Sequence, residues 1–142
     1  MKIRFLILFL GLFLLSIPSS VDAQPRPNDS YVFTLDTLAN TGTVTFTYPW
    51  ELDSKKGMYA VSYQVEATQL SGTTDITATV GQSNAKSGSD WVATSDTLDL
   101  DGTSDGLITI PLFYGVRSQL SLTGTGTQST QVKVIARVIQ RE

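Results

Sequence analysis

Apolar and polar residues alternate with period two through most of the chain. From Thr43 to Tyr48, Val44, Phe46 and Tyr48 fall on one side and Thr43, Thr45 and Thr47 on the other. From Met58 to Thr68, Tyr59, Val61, Tyr63, Val65 and Ala67 oppose Ser62, Gln64, Glu66 and Thr68. This is the period of an extended strand with one dry face and one wet face. The same alternation marks Tyr31 to Asp36, then Ile76, Ala78 and Val80, Leu98 and Leu100, Ile108 and Ile110, and Leu120 and Leu122. It ends with Val132, Val134, Ala136 and Val138 opposite Lys133, Arg137 and Arg141. The pattern predicts an all-β chain of about eight strands, folded as a single antiparallel β-sandwich of jelly-roll or Ig-like type over residues 30–142. No segment after Ile17 combines helical periodicity with a cap, so no helix longer than a turn or two is expected in this domain.

Between the runs stand turn formers: Ser71-Gly72, Ser87-Gly88, Asp101-Gly102, Asp105-Gly106 and Thr123-Gly124-Thr125-Gly126-Thr127. The wet positions are rich in Thr, which keeps the strand preference of a β-branched residue while presenting a hydroxyl to water. The last run differs, because Ile135 and Ile139 share the face of Lys133 and Arg137. Apolar content on both faces predicts a central strand, or one that contacts a neighbouring subunit.

The chain opens differently. Lys2 and Arg4 precede an unbroken apolar run from Phe5 to Ile17, and Pro18-Ser19-Ser20-Val21-Asp22-Ala23 follows before Gln24. Two cations, a short apolar stretch and small residues at Val21 and Ala23 are the parts of an export signal, with cleavage expected between Ala23 and Gln24. A short membrane anchor is the alternative for residues 1–23, but a spanning helix needs about 20 apolar residues and Pro18 ends this run early. Residues 24–29, with Pro25 and Pro27, read as an extended linker. The chain is therefore expected to be exported to periplasm, envelope or medium, touching membrane only through residues 5–17 if that segment is retained.

Composition then narrows the chemistry. The 142 residues carry 10 Lys and Arg against 13 Asp and Glu, with no His and no Cys. This removes Ser-His-Asp triads, Cys nucleophiles, the usual zinc sites and disulfides. A net charge of −3 also argues against a protein devoted to neutralising nucleic-acid phosphates. No catalytic residue and no cofactor is assigned.

Five features are weighed for chemistry, with the plainer reading of each. Asp99, Asp101 and Asp105 lie close together with Gly102 and Gly106, as oxygen ligands of calcium would, but the spacing is not that of an EF-type loop and a hairpin turn is the favoured reading. Glu51, Asp53, Glu66 and Asp75 are the acids that could pair in a glycosidase-like site, or they are solvated charges. Tyr48 and Trp50 flank Pro49 in a loop that offers a sugar-stacking platform or interface anchor, or closes one end of the core. Trp91, within Asp90-Trp91-Val92, reads as a core tryptophan. Asn28-Asp29-Ser30 matches a glycosylation acceptor, which matters only in a eukaryotic secretory route.

Several of these segments, taken in order, resemble a family. Gln64-Val65-Glu66, Leu70-Ser71-Gly72-Thr73-Thr74-Asp75, Gln82-Ser83-Asn84, Ser89-Asp90-Trp91-Val92, Tyr114-Gly115-Val116-Arg117 and the stretch from Thr123 to Thr130 resemble small β-sandwich structural proteins of bacteriophages and prophages, particularly those of Bacteroidetes and marine hosts, over about two-thirds of the chain. The resemblance implies a non-enzymatic virion component of tail or capsid, acting through subunit assembly, with itself or other structural subunits as partners. The export signal departs from that pattern, since such proteins normally assemble in the cytoplasm. An exported module that recognises a cell-surface glycan or protein through the Trp50 loop is the alternative.

Overall fold

The computed structural model describes residues 30–52, 58–101 and 105–141. The export segment with its Ala23–Gln24 junction, the linker, Asp53, Lys55, Lys56 and Gly102 lie outside the described residues. Within them are nine strands and no helix: β1 Ser30–Val32, β2 Asp36–Ala39, β3 Thr43–Thr47, β4 Met58–Gly72, β5 Asp75–Ser83, β6 Val92–Asp101, β7 Asp105–Phe113, β8 Arg117–Gly124 and β9 Gln128–Arg141. β1 and β2 both pair with β9 and share one edge position, so the nine strands fill eight places in two sheets. The first sheet runs β1/β2, β9, β4, β7 and the second β3, β8, β5, β6, with every pairing antiparallel. The pairs are nested along the chain: β5 with β6, β4 with β7, β3 with β8, and β1/β2 with β9. The chain is thus one long hairpin rolled onto itself, and β9 is a central strand of the first sheet, which explains its apolar content on both faces.

The run from Tyr31 to Asp36 does not form one strand. Val32 stands opposite Ile135 and Asp36 opposite Val132, so four steps on the edge match three on β9. The surplus residue reverses the in-out alternation, as a bulge does. Tyr31 and Phe33 turn toward the core before it, Leu38 is fully buried after it, and Leu35 between them is left exposed. A second irregularity lies between β4 and β7, where Tyr59 to Val61 matches Phe113 to Ile110. Pro111 falls within it, on an edge strand, where a missing backbone donor costs least.

The inward residues of both sheets meet in one core that includes Tyr63, Val65, Ile76, Leu100, Leu120, Leu122 and Val134. A polar link crosses it: the buried Tyr63 hydroxyl on β4 donates to Ser118 Oγ on β8 at 2.7 Å. Burial raises the Tyr63 pKa above its ordinary value, the Ser118 hydrogen bond lowers it in part, and nearby Tyr48 adds to the rise. At the far end of the sandwich the side chain of Gln128, 3% exposed, closes the β4–β5 connection. Its Nε2 donates to the Asp75 carbonyl, while its Oε1 accepts from the Asp75 amide at 3.2 Å and from Thr130 Oγ1 at 3.0 Å. Gly72 turns this corner at φ 73°, so close to the Thr127 carbonyl that a Cβ would have no room.

Candidate functional site

Tyr48 and Trp50 lie just past β3, in a segment tied to the start of β8 by Tyr48 N donating to Ser118 O at 2.9 Å and Leu52 N to Val116 O at 2.7 Å. Tyr48 is buried and Trp50 half-buried. Trp50 meets Tyr48 and Tyr31 edge-to-face at 5.1 and 5.2 Å between centroids, and Tyr31 and Phe33 continue the array to Phe46. These five rings cover one end of the core. Packing of this kind uses the apolar area that an open stacking platform would present.

Trp91 is not a core residue. It is half-buried just before β6, on the outer face of the second sheet, where its Cβ and Cε3 lie 3.7 Å from the position of a Cβ on Gly81. The absent side chain of Gly81 leaves the flat seat that the indole fills. The Arg117 guanidinium covers it at 4.7 Å from the ring centroid, a cation–π contact. Arg117 also donates from Nε to Ala85 O at 2.7 Å and from a terminal nitrogen to Gly88 O at 2.9 Å. One side chain therefore pins the whole 84–90 loop, helped by Val116 N donating to Ser83 O and Trp91 N to Ser89 O. The residues that Arg117 holds are about thirty positions away, so no local motif announces this role. Beside the loop is a pocket of about 530 Å³ lined by Gln82, Ser83, Asn84, Ala85, Asp90, Val92 and Tyr114.

The acids do not gather. Asp99 accepts from Thr77 Oγ1 at 3.0 Å, Asp101 stands opposite Asp75, and Asp105 stands opposite Glu66 on the other sheet. Among the described residues no three His, Cys, Asp or Glu side chains are placed to hold a metal ion, and of the candidate trio Asp99 and Asp101 lie on the second sheet and Asp105 on the first. Glu51 is near Lys86 at 3.5 Å, Glu66 binds Lys133 at 2.7 Å, and Asp75 begins β5. The three described members of the candidate acid set thus occupy three separate places.

The two outer faces differ in kind. On the second sheet the register aligns Thr43, Thr123, Thr77 and Asp99 in one row and Thr45, Ser121, Thr79 and Thr97 in the next. Thr43 and Thr123 share a hydrogen bond of 3.1 Å. On the first sheet one row is Ser30, Arg137, Ser62 and Thr109, and the next is Val32, Ile135, Gln64 and Leu107. Val32 is 55% and Leu107 63% exposed. A groove of about 540 Å³ runs between these rows, lined by Ser30, Ser62, Gln64, Leu107, Ile135 and Arg137. Of the five described cations, Lys133, Arg137 and Arg141 share this side of β9. No helix among the described residues is long and apolar enough to cross a membrane.

No family model matches the chain, and no curated protein is significantly similar to it. Among solved structures it is similar to a chain of Bacillus endospore appendages, which form a novel family of disulfide-linked pili. The match covers 84% of this chain and 95% of that one, at 14% identity and a TM-score of 0.43. A score at that level leaves the sandwich assignment to rest on the strand order itself, and this chain has no cysteine with which to form a disulfide. The phage or prophage origin implied by the motif order gains no support from these comparisons.

Proposed function

We propose that this protein is a non-enzymatic structural subunit that works outside the cytoplasm and self-associates through the outer face of its first sheet. The observation that carries this reading is the groove lined by exposed Leu107, half-buried Ile135 and Arg137, with exposed Val32 at the far end of the same row, on the face of a sheet in which β9 is a central strand. Exposed apolar side chains at both ends of this row, Val32 on β1 and Leu107 on β7, mark an interaction surface. Charge supports a second copy as the occupant. The β9 side carries Lys133, Arg137 and Arg141, while Asp96, Asp99, Asp101 and Asp105 line the β6 edge and the start of β7. Two different, complementary patches make a heterologous contact, which propagates as a ring or filament.

Export rests on the reading of residues 1–23 as a signal, and the N-terminal peptide of the protein recovered from cells is expected to begin at Gln24. We read the nested strand pairs as the connectivity of a jelly roll, a fold used by viral capsid and lectin domains alike. A phage or prophage particle is the finer setting we propose on that connectivity and the motif order, and fold alone assigns no function. Light scattering across a concentration series tests the assembly reading: mass is expected to rise with concentration and to fall with added salt. A monomer at every concentration contradicts it.

A further inference from the structure

We infer that the pocket beside the 84–90 loop is a binding site for neutral polysaccharide, separate from the assembly face and resting on different residues. The pocket has the makings of a sugar site in three respects. Its lining includes Tyr114, 68% exposed, and Val92, 66% exposed, so an aromatic ring and an apolar side chain are available to the C–H face of a hexose. Its floor and rim carry Gln82, Asn84 and Asp90, whose side chains have no partner among the described residues and supply amide donors together with amide and carboxylate acceptors for sugar hydroxyls. Its volume, about 530 Å³, lies within the roughly 300–1,000 Å³ typical of small-ligand sites.

The surroundings hold this pocket in shape. Arg117 fixes Ala85 and Gly88 and stacks on Trp91, so the loop is set before a ligand arrives and little ordering cost falls on binding. Gly115 lets the segment after β7 approach β5 closely: a Cβ there would lie 3.0 Å from Gln82 Cβ and from the Phe113 ring. Phe113 turns into the core and Tyr114 turns out. Electrostatics select the class of sugar. Arg117 is engaged in the loop and Lys86 stands beside Glu51, which leaves Asp90 as the charge in the pocket. A carboxylate as the only charged side chain in the lining disfavours anionic glycans and accommodates neutral ones.

Affinity electrophoresis of the purified protein through gels containing a β-glucan, a mannan, a xylan or, as the anionic counterpart, alginate tests the proposal. Retardation by at least one neutral polysaccharide is expected, with none by alginate. Tyr114→Ala should weaken it tenfold or more at unchanged circular dichroism, Asn84→Ala should weaken it severalfold, and Trp50→Phe should leave it intact. Failure of all three neutral polysaccharides to retard the protein overturns the proposal. So does retardation by alginate alone, or retardation that survives Tyr114→Ala. Because Tyr114 lies outside the groove of the first sheet, each result is read independently of whether the protein self-associates.

Discussion

The outer faces of the two sheets are built by the same alternation over the same core, yet they present opposite surfaces. On the second sheet, Thr43, Thr45, Thr77, Thr79, Thr97, Ser121 and Thr123 form rows of hydroxyls, two of which, Thr43 and Thr123, bond to one another. On the first, Ile135 and Leu107 stand among Arg137, Lys133 and Glu66, and the only ion pair within either sheet among the described residues, Glu66–Lys133, is there. A β-branched hydroxyl satisfies both the strand and the solvent, so these rows need no partner. An exposed Leu or Ile on a sheet face satisfies only the strand. The difference teaches that the wet positions of a sandwich carry information the dry ones do not: the core sets the fold, and the outer residues set what the fold meets.

Substitutions that remove the shared core should erase the contrast. Leu122, inward on β8 and fully buried, lies behind the hydroxyl rows. Leu122→Ala is expected to lower unfolding free energy by about 2–5 kcal/mol, measured by urea denaturation, and to affect both faces alike. Next in size is the clamp at the end of the sandwich. Gln128→Ala leaves both backbone groups of Asp75 without their side-chain partner and should cost about 1–3 kcal/mol. An unchanged denaturation midpoint would show that this corner does not need the amide.

Tyr63→Phe removes a polar link between the sheets through the core and is expected to cost about 1 kcal/mol near neutral pH. It also has a pH signature. The folded state holds the phenol neutral, so the unfolded chain releases this proton first. The contribution is complete below about pH 10, the ordinary phenol value, and is lost as pH rises beyond it. The wild type should therefore lose stability more steeply than Tyr63→Phe above that pH, and parallel curves would contradict the assignment. The smallest effect belongs to the surface. Glu66 and Lys133 are both partly exposed, and Glu66→Gln should change stability by less than about 1 kcal/mol.

Much of the fold was legible because strand period and core burial coincide. Val61, Tyr63, Val65, Ile76, Leu120, Val132 and Val134 all fall inward as their alternation predicts, and the two-faced apolar content of β9 correctly marks a central strand. The break between β1 and β2 was not legible, since one surplus residue reverses the alternation without a Gly or Pro to announce it. Trp91 deceived for a related reason: it precedes β6 rather than belonging to it, and its seat exists only because Gly81 lies beneath it. Gln128 could have been found, for it shares parity with Thr130 and Val132 and so points inward. Arg117 could not, because its acceptors on the 84–90 loop become neighbours only when β5 pairs with β8.

The contrast between the two faces is tested most directly by sedimentation velocity on three forms of the protein at matched concentration: wild type, Leu107→Lys on the first sheet and Thr79→Lys on the second. Leu107→Lys should shift the wild type from associated species to monomer, a weakening of about tenfold or more in affinity for a central apolar contact, while Thr79→Lys should sediment as the wild type does. Loss of association in Thr79→Lys with association retained in Leu107→Lys would contradict the account and move the interface to the hydroxyl face.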